Sequence, residues 1–195
     1  MQPYLLQTEE MIMAGFGGQG VLSMGMTLAY AGMLEGKEIS WMPSYGPEMR
    51  GGTANCITIL STDSISSPIV SFFDTAVLLN QPSMDKFGQK VKPGGILIYE
   101  ADAVIKPENR TDITMVPVKA MQIALHLAHP KGMNMVMLGV LLGIRPMVEC
   151  SSIEAALYKV LPEKYHTQIA LNTMALMAGV ECGASIMQKS QSLQL

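Results

Sequence analysis

The distribution of apolar and polar positions changes character once along this chain. Up to about residue 118, short apolar runs are bounded by glycine, proline and polar residues. Residues 11–14 (Met-Ile-Met-Ala) predict a buried strand ending at Gly15. A glycine-rich turn follows, then an apolar-rich segment over about 21–34 predicts a helix closed by Gly36. Residues 39–42 (Ile-Ser-Trp-Met) predict a second strand stopped by Pro43, and the alternating, β-branched residues 53–60 predict a third. The apolar run at 75–80 has the composition of a buried parallel strand. A helix is expected over 84–91, a turn at 93–95, and strands at 96–99 and 113–118.

Beyond residue 118 the pattern is helical, with helices predicted over 120–127, 133–142, 153–160 and 166–178. Ser151 or Ser152 is placed to cap the third of these, with Glu154 in its first turn. The polar end, residues 188–195, is expected to fray. Strand, glycine turn, helix, strand is the opening unit of a parallel sheet. The fold class is therefore α/β: a Rossmann-like, mostly parallel sheet with flanking helices and a helical C-terminal part. The α/β core covers about residues 9–118 and the helical part about 119–185. No linker between them is long enough to separate them, so the 195 residues form a single domain.

Composition narrows the function classes. Charged residues are 15% and hydrophobic ones 49%, enough for a sizeable core and for an exterior partly covered by a partner. A net charge of −3 with no run of Lys or Arg argues against a nucleic-acid footprint, while leaving a local phosphate site open. Cys56, Cys150 and Cys182 are far apart and form no CxxC pair, which argues against an iron–sulfur cluster or zinc site within the chain and for reduced thiols. Residues 1–10 lack the regions of a signal peptide. The longest apolar stretch, residues 132–144, contains Asn134 and is too short to span a bilayer, so the expectation is a soluble, cytoplasmic protein without membrane attachment. The 18 methionines fit either core filling or an adaptable contact surface, which leaves a homodimer or a subunit interface open.

The sharpest motif is Gly15-Phe-Gly17-Gly18-Gln-Gly20, between the first strand and helix. Glycine permits positive φ and close backbone approach, and the helix start that follows favours anions. Gly15, Gly17 and Gly20 satisfy the G-x-G-x-x-G dinucleotide fingerprint. That fingerprint needs an acidic residue at the end of the second strand, where this chain has Trp41-Met-Pro-Ser44. The open readings are a tight turn without ligand, another anionic ligand or docking against a partner, and, least favoured, an NAD(P)-binding reductase. A second cluster, Pro43-Ser-Tyr-Gly-Pro-Glu-Met-Arg-Gly-Gly52, brings Ser44, Tyr45, Glu48 and Arg50 to one rigid loop. Arg50 suits either a phosphate or a carboxylate such as Glu48. Asn134 and Asn172 interrupt apolar helices and need partners if buried; a capping role is the commoner answer for Asn134. His126, His129 and His166 show no ligand spacing and receive no catalytic role.

Together, Ala14-Gly-Phe-Gly-Gly-Gln-Gly-Val21 and Ser44-Tyr-Gly-Pro-Glu-Met-Arg-Gly-Gly-Thr53 resemble the gamma subunit of 2-oxoacid:ferredoxin oxidoreductases. The segments Ile65-Ser-Ser-Pro68 and Asn134-Met-Val-Met-Leu-Gly139 add to the resemblance, which runs from about residue 9 to 182. It implies one gamma-type domain in a complex with alpha, beta and ferredoxin-like delta subunits. That complex oxidatively decarboxylates a 2-oxo acid, passes electrons to ferredoxin and transfers the acyl group to coenzyme A. Thiamine diphosphate, magnesium and iron–sulfur clusters are implied on the partner subunits. By the same resemblance Gly18, Gln19, Gly20, Val21 and Leu22 face coenzyme A, with Arg50, Asn134 and Asn172 as further candidates. The chain has no thiamine-type Gly-Asp-Gly motif with a paired Asn and no cluster-binding cysteine set. It is therefore expected to carry no catalytic residue or metal ligand and to be inactive alone. A purely structural scaffold subunit is the alternative role.

Overall fold

The structure, a computed structural model, describes residues 7–44 and 53–192. Its elements are β1 (Thr8–Phe16), α1 (Val21–Leu34), β2 (Glu38–Ser44), β3 (Thr53–Ser61), β4 (Phe73–Leu78), α2 (Gln81–Phe87), β5 (Val91–Glu100), β6 (Thr114–Val118), α3 (Ala120–His126), α4 (Met133–Ile144), α5 (Cys150–Val160) and α6 (Ile169–Ser192). Among the described residues the strands form one sheet in the order β2-β3-β1-β4-β5-β6. All run in one direction except β3, which is antiparallel to both β1 and β2.

The mostly parallel α/β sheet expected from the sequence is present, with one departure in its opening unit. β2 does not lie beside β1. β3 returns between them, and its register runs the full length of β1, from Thr8 opposite Ser61 to Phe16 opposite Thr53. Other boundaries shift for local reasons. The expected turn at 93–95 lies inside β5, where Gly94 at φ 77° and a register irregularity against β4 absorb the bend. α5 starts at Cys150, so Ser151 and Ser152 fall inside it and no side chain caps it. Its entry is held by Glu35 at the end of α1, whose carboxylate accepts from the Glu149 amide at 2.7 Å. Both edge strands contain a proline, Pro43 in β2 and Pro117 in β6, which removes a backbone donor from each.

Strand alternation divides the core. Met11 and Met13 point to the face covered by α1 and the C-terminal helices, while Ile12 and Ala14 point to the face covered by α2. Glu9 continues the Met11 and Met13 series and is 2% exposed at its side chain. Its carboxylate accepts from Thr75 Oγ1 at 2.5 Å and from Arg145, just past α4, at 2.8 Å. Burial pushes the Glu9 carboxyl above its usual range, against the opposing pull of Thr75 and Arg145.

α4 and α6 are brought together by glycine. A Cβ on Gly139 would overlap the Leu176 carbonyl and lie 2.9 Å from the Gly179 Cα, and one on Gly183 would lie 2.5 Å from the Val140 carbonyl. Gly143 faces Val180 and Gly183 in the same manner, so residue numbers rise together on the two helices and they run parallel. Two Gly-x-x-x-Gly faces therefore meet backbone to backbone. The helical stretch Glu163–Lys189, which contains most of α6, has a mean hydropathy of 1.4 in its most apolar window. By length and composition it is able to cross a membrane, and it is longer than the apolar stretch 132–144 singled out in the sequence. The same composition serves a core helix, and here the glycine face of α6 is covered by α4.

Gly139→Ala or Gly179→Ala is expected to lower stability by about 1–3 kcal/mol through overpacking, outweighing the helix-propensity gain of up to about 1 kcal/mol. A urea midpoint that rises would contradict the contact. For Glu9 the folded pKa is raised, so its contribution to stability is full below the ordinary value of 4.5 and is lost as pH rises through the raised value. Unfolding free energy measured upward from pH 4.5 should therefore fall more steeply in wild type than in Glu9→Gln.

Candidate functional site

The chain leaves β1 toward one face of the sheet through α1 and leaves the neighbouring β4 toward the other through α2. The carboxyl ends of β1 and β4 therefore flank a topological switch point, where a crevice forms in open α/β sheets. The glycine loop sits there. Gln19 Oε1 accepts from the Phe16 amide at 2.6 Å and from Asn80 Nδ2 at 3.5 Å, while Asn80 Oδ1 caps α2 by accepting from the Ser83 amide at 2.9 Å. Gly15 leaves room for this closure, since a Cβ there would lie 2.7 Å from Gln19 Oε1. Gly18 and Gly20 hold left-handed φ values of 92° and 76°. Gly20 occupies the N-cap position of α1 and no side chain caps that helix, so the amides of its first turn keep their anion-favouring end open.

A cleft of about 350 Å³ opens beside this loop. Because α4 and α6 run parallel, both present their N-terminal turns to it, with Asn134 on the first and Asn172 on the second. Asn134 is 8% exposed and does not cap its own helix, whose N-cap position belongs to Gly132. Its Nδ2 reaches across to donate to the Gly20 carbonyl at 3.2 Å. The starts of α1, α4 and α6 thus converge on one cleft. Lys131 stands on its rim, Tyr165 and Gln168 add polar groups, Leu157 and Leu161 form an apolar wall, and none of the lining residues is acidic.

Of the residues singled out in the sequence, Gly18, Gly20, Asn134 and Asn172 are brought together here. Gln19 spends its side chain closing the loop. The Val21 side chain is buried in the core and that of Leu22 packs against it, so both present backbone alone. Arg50, with Tyr45 and Glu48, lies outside the described residues.

Sequence reasoning missed His129. It is 7% exposed, lines the cleft, and its Nε2 lies 3.0 Å from Asn172 Oδ1. An amide oxygen only accepts, so Nε2 carries the proton. His129 is aimed by the end of α3, where its amide donates to the Ala124 carbonyl and that of Ala128 donates to Leu125, both at 2.9 Å. This is a Schellman ending with Ala128 at φ 52° in the left-handed position that glycine usually fills. With no glycine at 128, nothing in the sequence marked a sharp turn that buries the next residue.

Residues 10–182 match the pyruvate ferredoxin/flavodoxin oxidoreductase family, and the chain belongs to it. Ketoisovalerate oxidoreductase subunit VorA of Methanothermobacter thermautotrophicus is 42% identical over 170 residues, covering 86% of this chain and 35% of that protein. The chain thus spans about a third of that relative's length. 2-Oxoglutarate synthase subunit KorC of Methanocaldococcus jannaschii is 32% identical over 176 residues, covering 89% of this chain and 92% of that one. The gamma subunit of a keto/oxoacid ferredoxin oxidoreductase from Geobacter sulfurreducens superposes with a TM-score of 0.76 at 26% identity, over 91% of this chain and 99% of that one. The 2-oxoglutarate:ferredoxin oxidoreductase of Magnetococcus marinus, solved with 2-oxoglutarate, coenzyme A and succinyl-CoA bound, shares the fold. Its TM-score is 0.80 at 22% identity, over 92% of this chain and 31% of that one.

Ala128→Gly should relieve the left-handed alanine and raise unfolding free energy by up to about 1 kcal/mol, read as a higher urea midpoint. Ala128→Val should lower it, since a β-branched side chain tolerates that φ still less.

Proposed function

We propose that this chain serves as the gamma-type subunit of a 2-oxoacid:ferredoxin oxidoreductase, and that the cleft at the three helix starts holds coenzyme A. The reaction converts a 2-oxo acid, coenzyme A and two one-electron equivalents of oxidised ferredoxin to acyl-CoA, carbon dioxide, two equivalents of reduced ferredoxin and a proton. The observation that carries the coenzyme reading is the uncapped start of α1 at Gly20 beside Lys131, on a cleft lined by no carboxylate to which the first turns of α4 and α6 bring Asn134 and Asn172. Coenzyme A carries a pyrophosphate and a further phosphate, which the uncapped start of α1 and a lysine accept. Its pantetheine arm carries amides, which match the buried Asn134 and Asn172 side chains. The Magnetococcus marinus relative binds coenzyme A, which supports the same reading here.

Thiamine diphosphate, magnesium and iron–sulfur clusters belong, in this reading, to the alpha, beta and ferredoxin-like delta partners. Among the described residues no three His, Cys, Asp or Glu side chains are grouped to hold a metal. Burial pushes the Cys56 thiol up to about 12, the reverse of what a thiolate ligand requires. Partner contact has its own support: Met121 and Leu125 of α3 and Leu171, Met174 and Met177 of α6 are exposed large apolar side chains on two helices that touch. A nicotinamide role is disfavoured because β3 fills the place beside β1 that a dinucleotide fold gives to β2 and its ribose-binding acid.

Lys131 is the cleanest probe, because it is exposed, whereas a Cβ on Gly20 would meet Asn134 at 2.5 Å. In the assembled complex, Lys131→Ala should raise KM for coenzyme A roughly tenfold, and Lys131→Glu more, with KM for the 2-oxo acid as internal reference. The wild-type KM for coenzyme A should also climb with salt more steeply than that of Lys131→Ala. Unchanged coenzyme A dependence in both variants would leave the scaffold role in its place.

A further inference from the structure

Asn172 is 9% exposed and stands at the cleft, yet its side-chain bond within the chain uses only Oδ1, which accepts from His129. Among the described residues nothing accepts from its Nδ2. Its Nδ2 is not among the enclosed atoms without a partner, so its two hydrogens face the cleft and are available to an acceptor that enters it. Left alone, such an amide is free to turn over and exchange its oxygen and nitrogen. With its proton on Nε2, His129 removes that freedom, because only the oxygen can face Nε2–H.

We propose that His129 is a positioning residue: by holding Asn172 Oδ1 it fixes the amide so that Nδ2 donates into the cleft, to an oxygen of coenzyme A. This rests on the coenzyme reading above. Three features hold the imidazole for the task. Ala128 turns the chain through left-handed φ so that residue 129 enters the interior. Gly132 supplies the space, since a Cβ there would lie 3.1 Å from His129 Nε2. Pro130 opens the single 3₁₀ turn, Pro130–Gly132, that carries the chain from His129 into α4. The same turn sets Lys131 on the rim, so a ligand held by Lys131 and Asn172 is held by one short connection and one helix start.

The test is a double-mutant cycle in the assembled complex, reading KM for coenzyme A against KM for the 2-oxo acid. Asn172→Ala is expected to raise KM for coenzyme A about tenfold, and His129→Leu, which keeps bulk but removes the donor, by about threefold to tenfold. The double variant should be no worse than Asn172→Ala alone, because His129 acts only through Asn172. His129→Gln, whose amide nitrogen can replace Nε2, should recover most of the loss. Effects that multiply in the double variant would overturn the proposal, as would failure of His129→Gln to recover an assembled enzyme. If Asn172→Ala leaves coenzyme A dependence unchanged while Lys131→Ala raises it, the positioning role is wrong and the coenzyme reading stands. If neither variant moves it, both fall. Loss of assembly in His129→Leu but not in His129→Gln would mark the bond as a folding contact and also overturn the proposal.

Discussion

The backbone contact between α4 and α6 is the constraint on which the site depends. Four helical glycines, Gly139, Gly143, Gly179 and Gly183, leave no side chain between the two helices. Each is a poor helix former, by about 1 kcal/mol relative to alanine, so their presence is an expense of stability that only close approach explains. The approach fixes register as well as distance. Because the helices run parallel and in step, the first turn of each arrives at the same level, beside the glycine loop. A slide of one turn, about 5.4 Å, would carry Asn172 away from His129 and out of the cleft.

Among the described residues the glycine loop joins this arrangement through one long-range bond, from Asn134 to the Gly20 carbonyl. That bond links the sheet half of the chain to the helical half at the point where a ligand is proposed to sit. On the opposite end of the sheet, Arg145 at the end of α4 meets Glu9 at the start of β1. α4 is therefore pinned to β1 or its loop at both ends, by an amide at one and, at the other, by an ion pair whose carboxylate, Glu9, is buried. Breaking the ion pair on one side would strand a buried charge, whereas breaking the amide bond would free the cleft wall.

Much of the architecture was legible because apolar period and glycine placement speak directly about local structure. The strands around Met13, Val77 and Ile98, the α1 helix and the helical second half all followed from pattern; Gly20, Asn134 and Asn172 were singled out only through the family resemblance, and the fold brings them to one cleft. What escaped the sequence is long-range. The position of β3 depends on pairing across residues 45–52, which no periodicity encodes. The glycine faces of α4 and α6 lie about 40 residues apart, and each alone is only a spacing that occurs by chance. The burial of His129 depends on an alanine doing what glycine usually does, and the entry to α5 is held by a carboxylate from another helix, Glu35. In each case the partner in space, not the neighbour in sequence, decides.

The prolines at the two sheet margins bear on how such a chain enters a larger body. Pro43 and Pro117 each interrupt the row of donors that an incoming strand would need. Recruitment by strand exchange or by zippering one sheet onto another is thereby disfavoured at both margins. Side-chain surfaces such as the exposed apolar residues of α3 and α6 carry no such interruption.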